Sequence, residues 1–486
     1  MRRHSTAILA AVAAAGSVLV TAASAAAGMP AVPGVRAAVL GGKWGTAIEV
    51  PGTAALNAGG SAWVRSVSCA SAGNCSAGGF YVDRSGDQQA FVAGETNGSW
   101  RRGEEVPGIA ALNQGGNADL TSVSCSSAGS CSAGGRYQTT GGVFEAFVVG
   151  ETNGTWRTAV EVPGTGALNR GGNAGITSVS CASAGNCSAG GFYTNSSAHL
   201  RAFVVGETNG TWGRAEEVPG TGAINLGDAE ITSVSCASPG NCSAGGLYPT
   251  PAIEAFVVGE RNGTWGTAVE VPGIAALSQG GFAEITSVSC GSAGDCSAGG
   301  FYLGRSIQQQ AFVVGEKKGI WGKAIEAPGT AGLNRGEDAE INSVSCGSAG
   351  NCSAAGDYRD VNQLQQAFVA DETNGTWGKA EQVPGTAGLN QGGDAETISV
   401  SCASAGNCSA GGFYNTGRLS QQAFVVGETN GIWGKAQEVP GIAGLNQGGA
   451  AGINSLSCGS VEHCSAGGFY TDRFTHYQAF VVGETY

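Results

Sequence analysis

Histidine is almost missing from this 486-residue chain. It has four, and one of them, His4, lies within the first five residues. None of the others (His199, His463, His476) sits beside a serine-nucleophile motif, and no G-x-S-x-G elbow is present, so histidine-based hydrolysis is unsupported. Basic residues are scarce as well: 24 Lys and Arg against 37 Asp and Glu, a net charge of −13, with the cations scattered singly. That excludes a basic face for nucleic-acid phosphates. Lysine is rare and leucine sparse beyond the first residues, which argues against long helices. No C-x-x-C is present, and beyond the opening segment no apolar run approaches the roughly 18 residues a membrane span needs.

What is there is glycine, 85 residues without a strict triplet period, which suggests many turns rather than collagen. The chain opens with Arg2 and Arg3, continues apolar from Ala7 to about Ala23, and reaches Ala-x-Ala sites at 23–25 and 25–27. This reads as a secretory signal peptide over residues 1–27, with a membrane anchor as the alternative. A linker follows at 28–43. Losing Arg2 and Arg3 takes the net charge from −13 to −15, which favours a soluble monomer.

Tryptophans 44, 100, 156, 212, 265, 321, 377 and 433 recur every 56 residues, with a single step of 53. They mark eight repeats: 44–99, 100–155, 156–211, 212–264, 265–320, 321–376, 377–432 and 433–486. Each holds four segments of strand character, as in "TWRTAVEV", "ITSVSC", "CSAGGFY" and "RAFVVGE". Asn-Gly between the last strand and the next Trp is a strong hairpin signal, and the Pro-Gly of "VPGIAALNQGG" ends a strand. Four strands per repeat of this length predict an all-β, eight-bladed propeller. The first repeat contributes a lone outer strand and the last supplies three, so pairing them closes the ring; an open array of four-stranded units is the alternative.

The stretch Gly206-Glu207-Thr208-Asn209-Gly210-Thr211-Trp212 resembles a degenerate Asp-box, the S-x-D-x-G-x-T-W hairpin of sialidase-type propellers, with Glu207 in the Asp place. The whole repeat, with "SVSCASAGNCSAGG" and "AFVVGETNGTWG", is similar to secreted repeat proteins of actinobacteria. The first resemblance implies a propeller; the second implies no known activity.

Sixteen cysteines fall into eight pairs with five residues between them: Cys69 and Cys75, Cys125 and Cys131, Cys181 and Cys187, Cys236 and Cys242, Cys290 and Cys296, Cys346 and Cys352, Cys402 and Cys408, and Cys458 and Cys464. Facing positions across a hairpin lie within disulfide reach, and an exported chain meets oxidising conditions. Local structural bridges are expected; zinc binding would need two pairs from separate blades to converge.

Alternating strand direction gathers the near-constant turns "ASAGN" and "ETNG" on one face and the variable loops between "GGFY" and "AFVV" on the other. Loops on a rigid scaffold are where binding usually lives. These contain Arg84, Arg305, Arg359, Arg418 and Arg473, with His476 and Tyr477 in the last, and they are the expected contacts for a polar ligand, a carbohydrate or a protein. Arg201 also lies in this set. Six residues before the first cysteine of a pair stand Asp119, Glu230, Glu284, Glu340 and Glu396, with Trp63, Gly175 and Gly452 in the other blades. Carboxylates around one opening suggest calcium, or solvated acids at strand starts. No other cofactor is expected. A secreted, non-catalytic binding propeller is the favoured function. A sialidase-like or other glycoside hydrolase using the loop arginines and mouth carboxylates is the alternative. The N-G-S/T sequons coincide with the Asn-Gly turns, which explain them.

Overall fold

The segment "AFVVG" is apolar on both faces, and it becomes a buried third strand of each blade, flanked by an equally buried Cys-Ser-Ala-Gly-Gly strand and a two-part outer strand. The computed structural model describes residues 43–221, 228–249, 252–417 and 420–485, all-β apart from one-turn helices such as Thr53–Leu56. The expected signal peptide, the linker up to residue 42, and Arg418 lie outside the described residues; Lys43, the last residue of the expected linker, already belongs to the outer strand.

Eight antiparallel sheets form the ring. Blade 1 is 62–105, blade 2 118–161, blade 3 174–217, blade 4 230–270, blade 5 283–326, blade 6 339–382, blade 7 395–438. In blade 8, three strands of 451–485 take their outer strand from the other end of the chain: Trp44 pairs with Glu484 and Glu49 with Phe480. The closed ring expected from the repeat phase is therefore observed. One phenylalanine per blade, from Phe91 to Phe480, is completely buried.

Glycine pairs in the second strand allow close approach on both sides. A Cβ on Gly191 would lie 2.0 Å from the Gly175 carbonyl oxygen of the inner strand of its own blade, and one on Gly190 2.5 Å from Ile231 of the next blade. Serines of the inner strands complete the contact. The amides of Val123 and Cys125 donate to Ser66 and Ser68 of the preceding blade at 3.0 and 2.9 Å. This is why the innermost strands are rich in serine: hydroxyls replace the backbone partners that radially arranged sheets cannot offer one another.

All eight expected disulfides are present, each between directly facing residues with Cα atoms 3.9–4.0 Å apart. Cys69 is joined to Cys75, Cys125 to Cys131, Cys181 to Cys187 and Cys236 to Cys242. In the second half of the ring Cys290 is joined to Cys296, Cys346 to Cys352, Cys402 to Cys408 and Cys458 to Cys464. The two ends of a bridge are not equivalent, a difference that spacing alone does not show. The first cysteine lies on the inner strand and is half-buried, whereas the second, on the strand behind it, is buried. Cys352, Cys408 and Cys464 thus sit inside the blade package. The Cys408 Sγ lies 3.3 Å from Ser353 Oγ of the neighbouring blade. Each bridge staples its own hairpin.

The Asn-Gly hairpins are also as expected, with φ of 50° at Asn209 and 76° at Gly210. The outer strand differs from the sequence reading. "TWRTAVEV" is not one strand but two short pieces, Thr155–Trp156 and Val160–Glu161, both on the same neighbour. Between them the Ala159 amide leaves the sheet and donates to the Pro107 carbonyl of the preceding blade's loop at 2.7 Å. The loop "VPGIAALNQGG" holds more structure than a turn. Its asparagine is buried, and Asn113 Nδ2 donates to the Gln88 carbonyl and to Gln89 Oε1, both at 2.9 Å.

Candidate functional site

The variable loops begin where the second strand of each blade ends, beside the start of the inner strand, and the acids named above lie at that same end. Glu284 and Glu340 pair with Phe301 and Asp357 near the loop ends of their hairpins. Gln365, the first strand residue after a variable loop, donates to Asp357 and to Glu396, both at 2.8 Å. Gln309 does the same for Glu340 at 3.0 Å.

Four consecutive blades thus present Glu230, Glu284, Glu340 and Glu396 as an arc, with Asp357 between the last two. Burial, then the neighbouring charges of Glu230 and Glu340, pushes Glu284 up to about 7. Burial, with Asp394 and Glu340, does the same to Glu396. Burial, with Glu340 and Glu396, holds Asp357 well above the usual carboxylate range. These groups are close enough to repel but do not converge. No three of the five predicted acids bring their oxygens within 4.8 Å of one another. One trio among the described residues does meet that distance, but it contains the disulfide-bonded pair Cys236 and Cys242. Asp119 stands apart, taken up by Arg65 of the preceding blade at 3.3 Å.

Across the ring, blades 8 and 1 carry a different surface. Trp63 stacks on Phe469 with ring centroids 4.1 Å apart and planes 18° from parallel, and Tyr477 leans on both. The Arg65 guanidinium lies over Trp63 and Phe80, at 5.2 and 4.9 Å from the ring centres. The Trp63 indole nitrogen is buried without a hydrogen-bond acceptor. The mouth is therefore two-sided, an aromatic plate with a cation opposite an arc of carboxylates. Sequence reading placed the acids and Tyr477 here. It missed the plate because Trp63 and Phe469 come from opposite ends of the chain, and it missed Arg65 because that residue follows the acid position rather than occupying it.

The described loop arginines make separate local contacts. Arg305 donates to Gln279 and Arg359 pairs with Asp338 at 2.9 Å, each partner in the segment leading into the same blade. Arg473 lies over Phe474, and Arg84 is exposed. His476 faces Asp472 at 3.7 Å.

A second ring of carboxylates occupies the opposite end. The glutamate at the "GET" position is buried in every blade, and in seven of the eight it accepts from a serine of the preceding blade, as in Ser132 to Glu207 at 2.8 Å, Ser188 to Glu260 at 2.9 Å, and Ser465 to Glu95 at 3.0 Å across the closure. Sequence reading took Glu207 only as an Asp-box substitute.

No protein-family model and no curated protein matches this chain. Among solved structures it is similar to the BP39L lectin from Burkholderia pseudomallei, at 11% identity over 77% of this chain and 99% of the lectin, TM-score 0.42. A polysaccharide lyase of family PL25, an ulvan lyase, matches at 10% identity over 73% of this chain and 90% of its own, TM-score 0.42. The Hadza microbial sialidase Hz136 matches at 10% identity over 69% and 72% of the two chains, TM-score 0.34. At identities of 10 to 11%, none of these carries chemistry over to this chain, an eight-bladed propeller with one hairpin disulfide per blade.

Proposed function

We propose that this is a secreted, non-catalytic propeller that binds a polar extracellular ligand, a carbohydrate first of all, across the variable-loop end of its ring. The observation that supports this most is the two-sided mouth. A sugar ring offers an apolar face to a plate such as Trp63, Phe469 and Tyr477, and hydroxyls to carboxylates and amides such as Glu340 and Gln309. Near-identical blades differ at these positions, which makes one end of a repetitive ring specific.

Export fits the residue 1–27 segment and the eight disulfides. Among the described residues no helix is long and apolar enough to cross a membrane. The glycoside-hydrolase reading draws on Glu284 and Glu396, held near neutrality beside Glu340, as acid–base chemistry requires. Of the arginines it would recruit, Arg305 and Arg359 are engaged by Gln279 and Asp338.

A glycan array with the mature protein, followed by a screen of chromogenic glycosides and sialosides, tests the choice. Binding that drops at least tenfold in Trp63→Ala, with no turnover, is the expected result. Turnover abolished by Glu284→Gln or Glu396→Gln would establish the enzyme instead.

A further inference from the structure

At the constant-turn end, the junctions between blades open as grooves of about 490 Å³ between blades 1 and 2, 470 Å³ between 2 and 3, 430 Å³ between 3 and 4, and 560 Å³ between 5 and 6. Each is lined by the buried glutamates of both blades and by a tryptophan of the second. Each also has a cation of the first: Arg101, Arg157, Arg214 or Lys323. One wall is a glycine, Gly94, Gly150, Gly206 or Gly315, where an added Cβ would meet nothing nearer than 3.7 Å.

Between blades 6 and 7 the equivalent residue is Asp371. Its carboxylate accepts from Trp433 Nε1 at 3.0 and 3.3 Å and from Ser353 Oγ at 2.7 Å. Ser353 thus bonds two carboxylates, Asp371 at 2.7 Å and Glu428 at 3.4 Å. In the open grooves between blades 2 and 3 and between 5 and 6, the matching indole nitrogens of Trp212 and Trp377 are buried without an acceptor. Asp371 occupies its groove as a tethered ligand would, and shows what these two grooves lack: an oxygen that accepts from the indole.

We propose that these four grooves are a repeated binding site for neutral sugars, one hydroxyl taking the place of the Asp371 carboxylate. A hydroxyl accepts from the indole N–H and donates to the buried glutamate, which a carboxylate cannot do without bringing like charges together. That cost is visible beside Asp371, where burial and then its charge push Glu428 up to about 7. The inference rests on the polar-ligand reading above but assigns sites at the other end of the ring.

The test uses the mature protein, an array of neutral glycans, and calorimetric titration with the best-bound methyl glycoside. Gly94→Asp, Gly150→Asp, Gly206→Asp and Gly315→Asp together copy the blade 6 plug. They are expected to weaken binding at least tenfold with the fold retained by circular dichroism. Asp371→Gly alone is expected to add one site to the measured stoichiometry. Binding unaffected by the plugs but lost in Trp63→Ala overturns the grooves and leaves the mouth reading intact, as does an unchanged stoichiometry in Asp371→Gly. Native protein that binds no glycan on the array overturns both.

Discussion

The backbone amide of Cys69 donates to the hydroxyl of Ser457 at 2.9 Å, joining residues 388 apart in the chain. It is the same bond that Cys125 makes to Ser68 one blade on, so the junction between last and first blades is built like the others. Deleting residues 41–52 removes the paired strands Lys43–Trp44 and Ile48–Glu49 and the buried side chains of Trp44, Ala47 and Val50. Several kcal/mol of lost burial lowers Tm by on the order of 10 °C in a domain of this size. Calorimetry of the deletion checks this; an unchanged melt means the ring does not depend on its clasp.

Non-reducing peptide mapping is expected to recover eight links, each within one hairpin. Replacing Cys181 and Cys187 together by Ala is expected to cost about 2 kcal/mol, the loop-closure value for so short a ring. Denaturant titration of that variant measures it, and a cost several times larger would mean that the bridge also fixes the neighbouring blade.

A third expectation comes from a departure in the repeat. Where other blades oppose glycine to isoleucine, leucine or valine across the junction, as Gly299 does to Ile341, blade 6 has Ala355 at the glycine position and blade 7 has Thr397 at the branched aliphatic position. Both are completely buried. Thr397→Ile restores the repeat's own pattern, yet it should destabilise by about 1–3 kcal/mol through overpacking against the Ala355 methyl. Adding Ala355→Gly should recover most of that loss. A double-mutant cycle measures the coupling, and strict additivity would disprove it.

Stability should depend on pH through the buried carboxylates. Burial, the first cause in each case, raises Glu254, Glu284, Glu396 and Glu428 to about 7. Unfolded glutamates release their protons near pH ~4.3. Between there and about 7 the unfolded chain has lost protons that the folded chain still holds, so stability falls as pH rises through that window and levels off above it. Denaturation midpoints at pH 5, 6, 7 and 8 should decline in that order. Glu284→Gln with Glu396→Gln should flatten the curve, and a midpoint rising toward pH 8 would contradict the burial of these groups.

The repeat, the ring, its closure and the eight cysteine links were all legible in the sequence, because each follows from spacing within one unit or from where the units start. What sequence reading missed depends on contact between units. The outer strand splits because the Ala159 amide finds Pro107 in another blade. The aromatic plate exists only once Phe469 is brought to Trp63 by closure. Asp371 in "VADET" looks like drift from glycine until Trp433 of the next blade is seen to donate to it. The loop arginines stood out by charge, but charge alone does not say whether a side chain points to a ligand or, like Arg359, to its own blade.

The borrowed outer strand puts the unit of heredity out of phase with the unit of architecture. Unequal exchange between two near-identical repeats gains or loses a whole number of units, wherever the crossover falls. Each product still begins with an orphan outer strand and finishes with three strands that need it. The number of blades can thus change by one in a single genetic event, with the clasp inherited intact and only the angle between neighbours to be readjusted.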